Sequence, residues 1–193
     1  MRNIAIFASG SGTNAENIIR YFSNRKSARV KLILSNKREA FVLKRAESHN
    51  IKSIFFDRHD FYETGKVLET LMENKIDFIV LAGFLWLVPG NILKFYDRRI
   101  INIHPALLPN HGGKGMYGDK VHKSVIANHE KESGITIHYV NNIYDAGDII
   151  FQARCDVDKN DTPDALASKV HALEYRYFPQ VIEEIVTKLP SLF

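Results

Sequence analysis

The chain has 193 residues and 45% hydrophobic content, enough to bury one sizeable core, so we expect a single globular domain. Lysine and arginine number 26 against 22 acidic residues, and the net charge of +4 is scattered along the sequence, which argues against a nucleic-acid partner. No apolar run approaches the roughly 18 residues of a membrane span, and the single Cys155 excludes an internal disulfide. With no Cys/His cluster of metal-ligand spacing and no signal-like N-terminus, we expect a cytoplasmic protein without a metal or membrane partner.

Short apolar runs typical of strands alternate with helical patterns through the first half of the chain. Strands are predicted at 4–8, 30–34, 53–56, 78–82 and 100–104, and helices at 14–24, 40–50, 64–74 and 91–96. This alternation predicts an α/β fold with a doubly wound, mostly parallel, Rossmann-like sheet and right-handed crossovers.

The second half changes character after residue 104. A glycine-rich loop at 111–118 precedes a predicted helix at 121–128, strands at 135–140 and 149–156, and a long helix at 163–189. Thr162 is expected to cap that last helix, since Pro163 suits a first helical turn. We therefore expect one domain, 1–193, made of two halves, 1–104 and 105–193.

The segment Ser9–Asn14, SGSGTN, follows the first predicted strand and leads into a helix. Backbone N–H groups and the positive end of the helix dipole would converge there and stabilise an anion such as a phosphate. The segment is too short for a Walker A loop and does not match the GxGxxG pattern. The alternative is a tight turn that needs glycine for positive φ, with Thr13 or Asn14 as the N-cap.

Asn102 and His104 lie two residues apart at the end of a predicted strand, in the run INIHPALLP. Residues with this spacing point to the same side, so an amide and an imidazole would project together toward a carbonyl oxygen. Asp145 lies in the turn-rich segment YDAGD and could serve the same site. The alternatives are a hydrogen-bonded histidine at a strand end and an aspartate that stabilises its own turn.

The order of these motifs resembles the phosphoribosylglycinamide formyltransferase family, a folate-dependent group of purine biosynthesis. The resemblance covers essentially the whole chain and comprises SGSGTN, LAGF at 81–84, NIHPALLP, His138 and DAG at 145–147. NIHPALLP followed by DAG about forty residues later is the most specific part. It implies transfer of a formyl group from 10-formyltetrahydrofolate to the amine of a glycinamide ribonucleotide, with both small molecules as partners.

The resemblance also implies roles for individual residues. The catalytic residues would be Asn102, His104 and Asp145. The ribonucleotide would be bound by Gly12, Thr13, Asn14, His171 and Glu174. The folate would be bound by Leu85, Trp86, Leu87, Val88, Asn141, Asn142, Ile143 and Tyr144. On this basis the first half of the chain would bind the phosphoribosyl group, and the second half the folate and the catalytic loop.

Trp86 stands where the family often has an arginine, and Thr64 or a neighbour stands where another is frequent. An ionic contact to folate from these positions is therefore not expected. The loop 111–118 is longer than in many relatives and is either a lid over the folate, with Lys114 near its glutamate tail, or a solvated surface loop. We expect a monomer or a weak homodimer.

In the expected mechanism, Asn102 and a protonated His104 stabilise the oxyanion that forms on the formyl oxygen. Asp145 would favour the protonated His104 and help to remove the proton of the attacking amine. No covalent enzyme intermediate is expected, so Cys155 would be a structural residue. The alternatives are a 10-formyltetrahydrofolate hydrolase, a transferase for another amine and a noncatalytic phosphosugar-binding module.

Overall fold

The computed structural model describes residues 1–193 and has seven strands and seven helices. In chain order they are β1 (Arg2–Phe7), α1 (Thr13–Phe22), β2 (Ala28–Ser35), α2 (Phe41–Ser48), β3 (Lys52–Phe55), α3 (Arg58–Tyr62), α4 (Lys66–Glu73), β4 (Phe78–Leu81), α5 (Gly90–Phe95), β5 (Ile100–His104), α6 (Asp119–Ala127), β6 (Glu132–Tyr139), β7 (Ile149–Asp156) and α7 (Pro163–Lys188).

All seven strands belong to one sheet in the order β3-β2-β1-β4-β5-β6-β7. The first five are parallel, whereas β6 and β7 add to the β5 edge as antiparallel strands. The predicted doubly wound, mostly parallel fold is therefore confirmed. The strand order reverses between β1 and β4, and this switch point opens a crevice beyond the carboxyl ends of the strands, where ligands of such sheets bind.

Both faces of the sheet are covered, which explains why the central strands read as continuous apolar runs. On one face, α1 and α7 pack over a core of 26 buried residues that includes Ile4, Ile6 and Phe178. On the other face lies a core of 16 buried residues that includes Phe7 and Phe56. The carboxyl ends of β1, β4 and β5 are thereby held at fixed positions between two packed layers.

All thirteen predicted elements are present, and their ends lie within three residues of the predicted ones, with β5 and β7 matching the prediction at both ends. Thr162 caps α7 as predicted, because its hydroxyl oxygen accepts from the N–H of Ala165 at 3.2 Å. The short helix α3 was not predicted, although Asp57 marks its start by accepting from the N–H of Asp60 at 2.9 Å. None of the helices combines the length and the apolar character needed to cross a bilayer.

Candidate active site

A cleft of about 510 Å³ opens at the carboxyl edge of the sheet. Six parts of the chain supply most of its walls: the loop after β1, the segment after β4, the end of β5, the loop before α6, the loop after β6, and one face of α7. It therefore collects the predicted site segments, which are far apart in sequence, around one space.

The three predicted catalytic side chains meet in this cleft. Asp145 Oδ2 lies 3.5 Å from His104 Nδ1, and Asp145 Oδ1 accepts from the amide Nδ2 of Asn102 at 3.4 Å. Asn102 and His104 project from the same side of β5, as their spacing predicts. The alternative in which Asp145 only stabilises its own turn is wrong, because both of its oxygens face other elements.

The proton on neutral His104 is located by its neighbour on the other side of the ring. His104 Nε2 lies 2.8 Å from the backbone oxygen of His111, and since a carbonyl only accepts, Nε2 must carry the proton. Nδ1 is then the nitrogen that faces Asp145 and can gain or lose a proton.

Burial lowers the pKa of His104, whose ring is only 3% exposed, although the carboxylate of Asp145 acts to raise it. Asp145 thus acts to raise the pKa of His104, as predicted, but the effect of burial is larger. His104 is therefore neutral in the site, whereas the sequence predicted that it is protonated.

Asn102 is oriented by His138, which the sequence analysis named only as part of the family motif. His138 Nδ1 donates to the backbone oxygen of Tyr139 at 2.8 Å, so its Nε2 is free to accept from Asn102 Nδ2 at 3.1 Å. The two residues are directly paired across β5 and β6. Both amide hydrogens of Asn102 are consequently in use, one toward His138 and the other toward Asp145.

Asp145 is held in place by its backbone conformation and by a neighbouring loop. Its φ of 55° lies in the left-handed region, which aspartate tolerates better than most residues. Its Oδ2 accepts from the N–H of Gly113 at 2.9 Å. Burial acts to raise the pKa of Asp145, but the hydrogen bonds that it accepts, among them that of the Gly113 N–H, contribute to an overall lowering, so the carboxylate is ionised at neutral pH.

The loop after β1 has the form of an anion site. Gly12 is the N-cap of α1 with φ 75°, as the alternative of a tight turn requires, but neither Thr13 nor Asn14 caps the helix, as that alternative also supposed. The N–H groups of the first turn therefore have no side-chain partner. A side chain at position 12 would overlap Val42, so glycine is required for both its conformation and its packing.

Glu174 on α7 closes this end of the cleft. It is 6% exposed, and its Oε2 accepts from Asn14 Nδ2 at 2.8 Å, so it belongs to the cleft rather than to an exposed helix face. Burial raises its pKa despite the Asn14 hydrogen bond. His171 lies one turn earlier, exposed at the rim of the cleft. Asn14 also lines the cleft, and its Oδ1 is buried without a hydrogen-bond partner.

The segment Leu85–Val88 forms the opposite wall, and all four of its residues line the cleft. Trp86 packs among the aromatic rings of Phe56, Phe61 and Tyr62, at centroid distances of 6.0 to 6.1 Å. The guanidinium of Arg58 lies 5.1 Å from the Trp86 ring centre, so α3 places a cation at this wall.

The remaining wall consists of two loops. Asn141, Ile143 and Tyr144 line the cleft, whereas Asn142 is not among its lining residues. Residues 113–118 of the glycine-rich loop also line it, so this loop forms part of the cleft wall. His122, which we did not single out from the sequence, lines the cleft from α6 beside His171.

Comparison with known proteins agrees with this geometry. The family model described as "Formyl transferase" matches residues 2–182. This chain belongs to the formyl transferase family. The matched range contains every strand of the sheet and every side chain placed in the cleft above.

Three individual members of the family show how far the likeness extends. A phosphoribosylglycinamide formyltransferase of Bacillus subtilis is 34% identical over 191 residues, which is 96% of this chain and 95% of the relative. A chloroplastic enzyme of that name from Arabidopsis thaliana is 37% identical over 190 residues, and the chain spans 65% of its length. The crystal structure of the Bacillus halodurans enzyme superposes with a TM-score of 0.87 and 36% identity, covering 100% of this chain and 99% of that one.

Proposed function

We propose that this protein transfers the formyl group of 10-formyltetrahydrofolate to the amine of 5-phosphoribosylglycinamide, a step of purine biosynthesis. The observation that carries the proposal is the meeting of Asn102, His104 and Asp145 in one cleft with the uncapped glycine loop. The names of the full-length bacterial relatives support the same activity. Binding a phosphosugar alone would require none of these three side chains.

The acceptor would occupy the end of the cleft formed by Gly12, Thr13, Asn14, His171 and Glu174. Its phosphate would be bound by the free N–H groups of the first turn of α1. Its ribose hydroxyls would meet the carboxyl group of Glu174, which Asn14 holds by a hydrogen bond. His171, exposed at the rim of this end, would contact the ribonucleotide as well.

The reduced folate would lie between the segment Leu85–Val88 and the loop 141–144, with Ile143, 62% exposed here, covering its apolar face. Trp86 stands where the family often has an arginine, so no ionic contact to folate is expected from that position. Arg58 and Lys114 would instead attract the glutamate tail of the folate. One domain with halves 1–104 and 105–193 stays a proposal, but each half would serve both ligands, because Leu85–Val88 of the first half would bind folate and Glu174 of the second would bind the acceptor.

The reaction would begin with attack of the neutral amine on the formyl carbon. His104 Nδ1 would accept the proton that the nitrogen loses, and Asp145, 3.5 Å away, would stabilise the imidazolium formed in this way. The same proton would then pass to N10 of the leaving tetrahydrofolate as the C–N bond breaks. Burial keeps His104 neutral before the reaction, so Asp145 would stabilise charge that appears only as the amine attacks.

Asn102 would donate to the formyl oxygen as negative charge develops there. The longer of its two hydrogen bonds, 3.4 Å to Asp145, is the one that the oxyanion would replace, while His138 keeps the amide oriented. Loss of a single donor of this kind costs about 3 to 4 kcal/mol in other enzymes.

One assay tests the proposal against the alternatives. The purified protein is incubated with 10-formyltetrahydrofolate, with and without the ribonucleotide, and deformylation is followed. Turnover only with the ribonucleotide is expected. Turnover without it would indicate the hydrolase, and no turnover in either case would indicate a phosphosugar-binding module or a transferase for another amine. A cytoplasmic location and a monomer or weak homodimer stay predictions.

A further inference from the structure

We propose that His111 is a positioning residue that fixes the orientation of His104. The two residues are linked directly, because the backbone oxygen of His111 accepts the Nε2 proton of His104 at 2.8 Å. This one hydrogen bond decides which nitrogen of His104 faces Asp145. Anything that moves the backbone at position 111 would therefore change the reactive nitrogen.

The backbone at position 111 adopts a conformation that must be held from outside. His111 has φ 55°, a left-handed conformation that costs free energy for a residue with a β-carbon. The next residue, Gly112, cannot hold this conformation through side-chain packing. A side chain at position 112 would overlap Leu108 and crowd Asp145. The segment 111–113 thus lies close against the catalytic groups without large side chains at 112 and 113 to secure it.

The imidazole of His111 supplies the anchor. Its Nδ1 lies 2.9 Å from the hydroxyl of Ser124 on α6, and its Nε2 lies 3.3 Å from Glu130 Oε1 in the turn after α6. A carboxylate only accepts, so Nε2 donates to Glu130, and Nδ1 accepts from the Ser124 hydroxyl. The ring is only 9% exposed, whereas the Glu130 side chain is 41% exposed, so the ring is held between a part-buried hydroxyl contact and a carboxylate at the surface.

The anchored segment supports both catalytic groups at once. Two residues after His111, the N–H of Gly113 donates to Asp145 Oδ2 at 2.9 Å. His104 and Asp145 therefore share one support, pinned from behind by a ring that lines a second cavity rather than the cleft. We infer that the His111 ring keeps the distance between His104 Nδ1 and Asp145 constant through the reaction.

The test compares four variants. His111→Asn keeps a residue that tolerates left-handed φ but removes the ring. Glu130→Ala removes the acceptor of the ring, whereas Glu130→Gln retains an acceptor oxygen. Glu132→Ala is the matched control, because Glu132 lines the same second cavity but pairs with Arg154. Should His111→Asn fail to fold, the Glu130 pair still tests the anchor from the surface.

The first readout is the ¹⁵N NMR spectrum of His104, which reports its tautomer without any assay. We expect a single Nε2–H tautomer in the native protein, in Glu130→Gln and in the control, and a tautomer mixture in His111→Asn and Glu130→Ala. An unchanged tautomer in the last two variants would overturn the proposal. This readout does not depend on the proposed formyl transfer.

The second readout, kcat against KM, rests on the proposed function. We expect kcat to fall about tenfold in His111→Asn and about threefold in Glu130→Ala, with KM for the ribonucleotide unchanged within twofold. Recovery in Glu130→Gln supports the anchor, and an equal loss in Glu130→Gln and Glu130→Ala contradicts it. If the native protein transfers no formyl group, the proposed function fails while the NMR result still decides the role of His111.

Discussion

His104 Nδ1 faces Asp145 Oδ2 at 3.5 Å, while the opposite nitrogen of the same ring donates to the backbone of His111. This arrangement separates a fixed proton from a movable one. Burial lowers the pKa of His104, and the charge of Asp145 acts against that lowering. The resting histidine is therefore neutral, and its carboxylate partner favours the charged form only when a proton arrives.

The first prediction concerns Asp145→Asn. Removing the negative charge removes an influence that raises the pKa of His104, so we expect that pKa to fall further in the variant. In an NMR titration the His104 signal should change at lower pH in the variant than in the native protein. We expect kcat to drop about 100-fold or more, because the imidazolium of the transition state loses its partner.

The pH dependence of the native protein follows from the lowered pKa of His104. If neutral His104 accepts the proton of the amine, kcat/KM corrected for ionisation of the substrate amine rises with pH through the pKa of His104, below 6.5, and then levels off. A corrected profile that falls over this range would mean that the protonated ring is the active form.

Ribose 5-phosphate binding by the Asp145→Asn variant is the control for the first prediction and should be unchanged.

The second prediction concerns Gly12→Ala. The added methyl group would overlap Val42 and require φ 75° of a residue with a β-carbon, so we expect the free energy of unfolding to fall by about 2 to 4 kcal/mol. Gly10→Ala is the control, because a methyl group at position 10 meets no atom within 4 Å. Urea unfolding compares them, and equal stability of the two variants would contradict the packing argument.

The fold was largely predictable because its signals are local. The alternation of apolar runs and helical patterns is a property of neighbouring residues, and it predicted all seven strands of the sheet. Helix α3 was missed because five residues are too few to show a helical period, so that only Asp57 marked its start. The placement of Arg58 against Trp86 was missed with it.

From residue spacing alone, the site was predictable only where its geometry is local, and the place of Asp145 in it came from the family resemblance. The spacing of Asn102 and His104 within one strand predicts a shared side, and the structure has it. Asn102 and His138 are 36 residues apart, and their contact depends on the register between β5 and β6. Residue spacing within one strand does not predict that register. The charge of His104 was misjudged because burial is a property of the whole fold rather than of the ring and its partner.

The third prediction concerns Cys155→Ala. The thiol is half-buried on β7, is not among the residues that line the cleft, and has a pKa raised by burial. The thiol is therefore protonated at neutral pH and is a poor nucleophile. We expect turnover to be unchanged within twofold, measured in the deformylation assay. Complete loss of activity in a folded variant would contradict direct transfer to the substrate amine.

The fourth prediction concerns Glu174→Gln. Burial raises the pKa of Glu174, so between its unfolded-state pKa of about 4.3 and the raised folded value the folded protein binds more protons than the unfolded chain. This stabilising contribution is fully present below the unfolded pKa and is lost as pH rises through the folded one. Glutamine does not titrate, so the variant does not lose this contribution. We therefore expect the free energy of unfolding of the variant, minus that of the native protein, to increase as pH rises from 4 to 8.

Urea unfolding across this pH range measures that difference, with Glu184→Gln, an exposed position on the same helix, as the control. A difference between native and Glu174→Gln that stays constant with pH would mean that the buried carboxyl group does not titrate abnormally. The same variant should bind ribose 5-phosphate about tenfold more weakly, because an amide replaces a carboxyl oxygen that would accept from the ribose hydroxyls. Stability and affinity would then change in opposite directions at high pH, which is the result expected of a buried acid kept for binding rather than for folding.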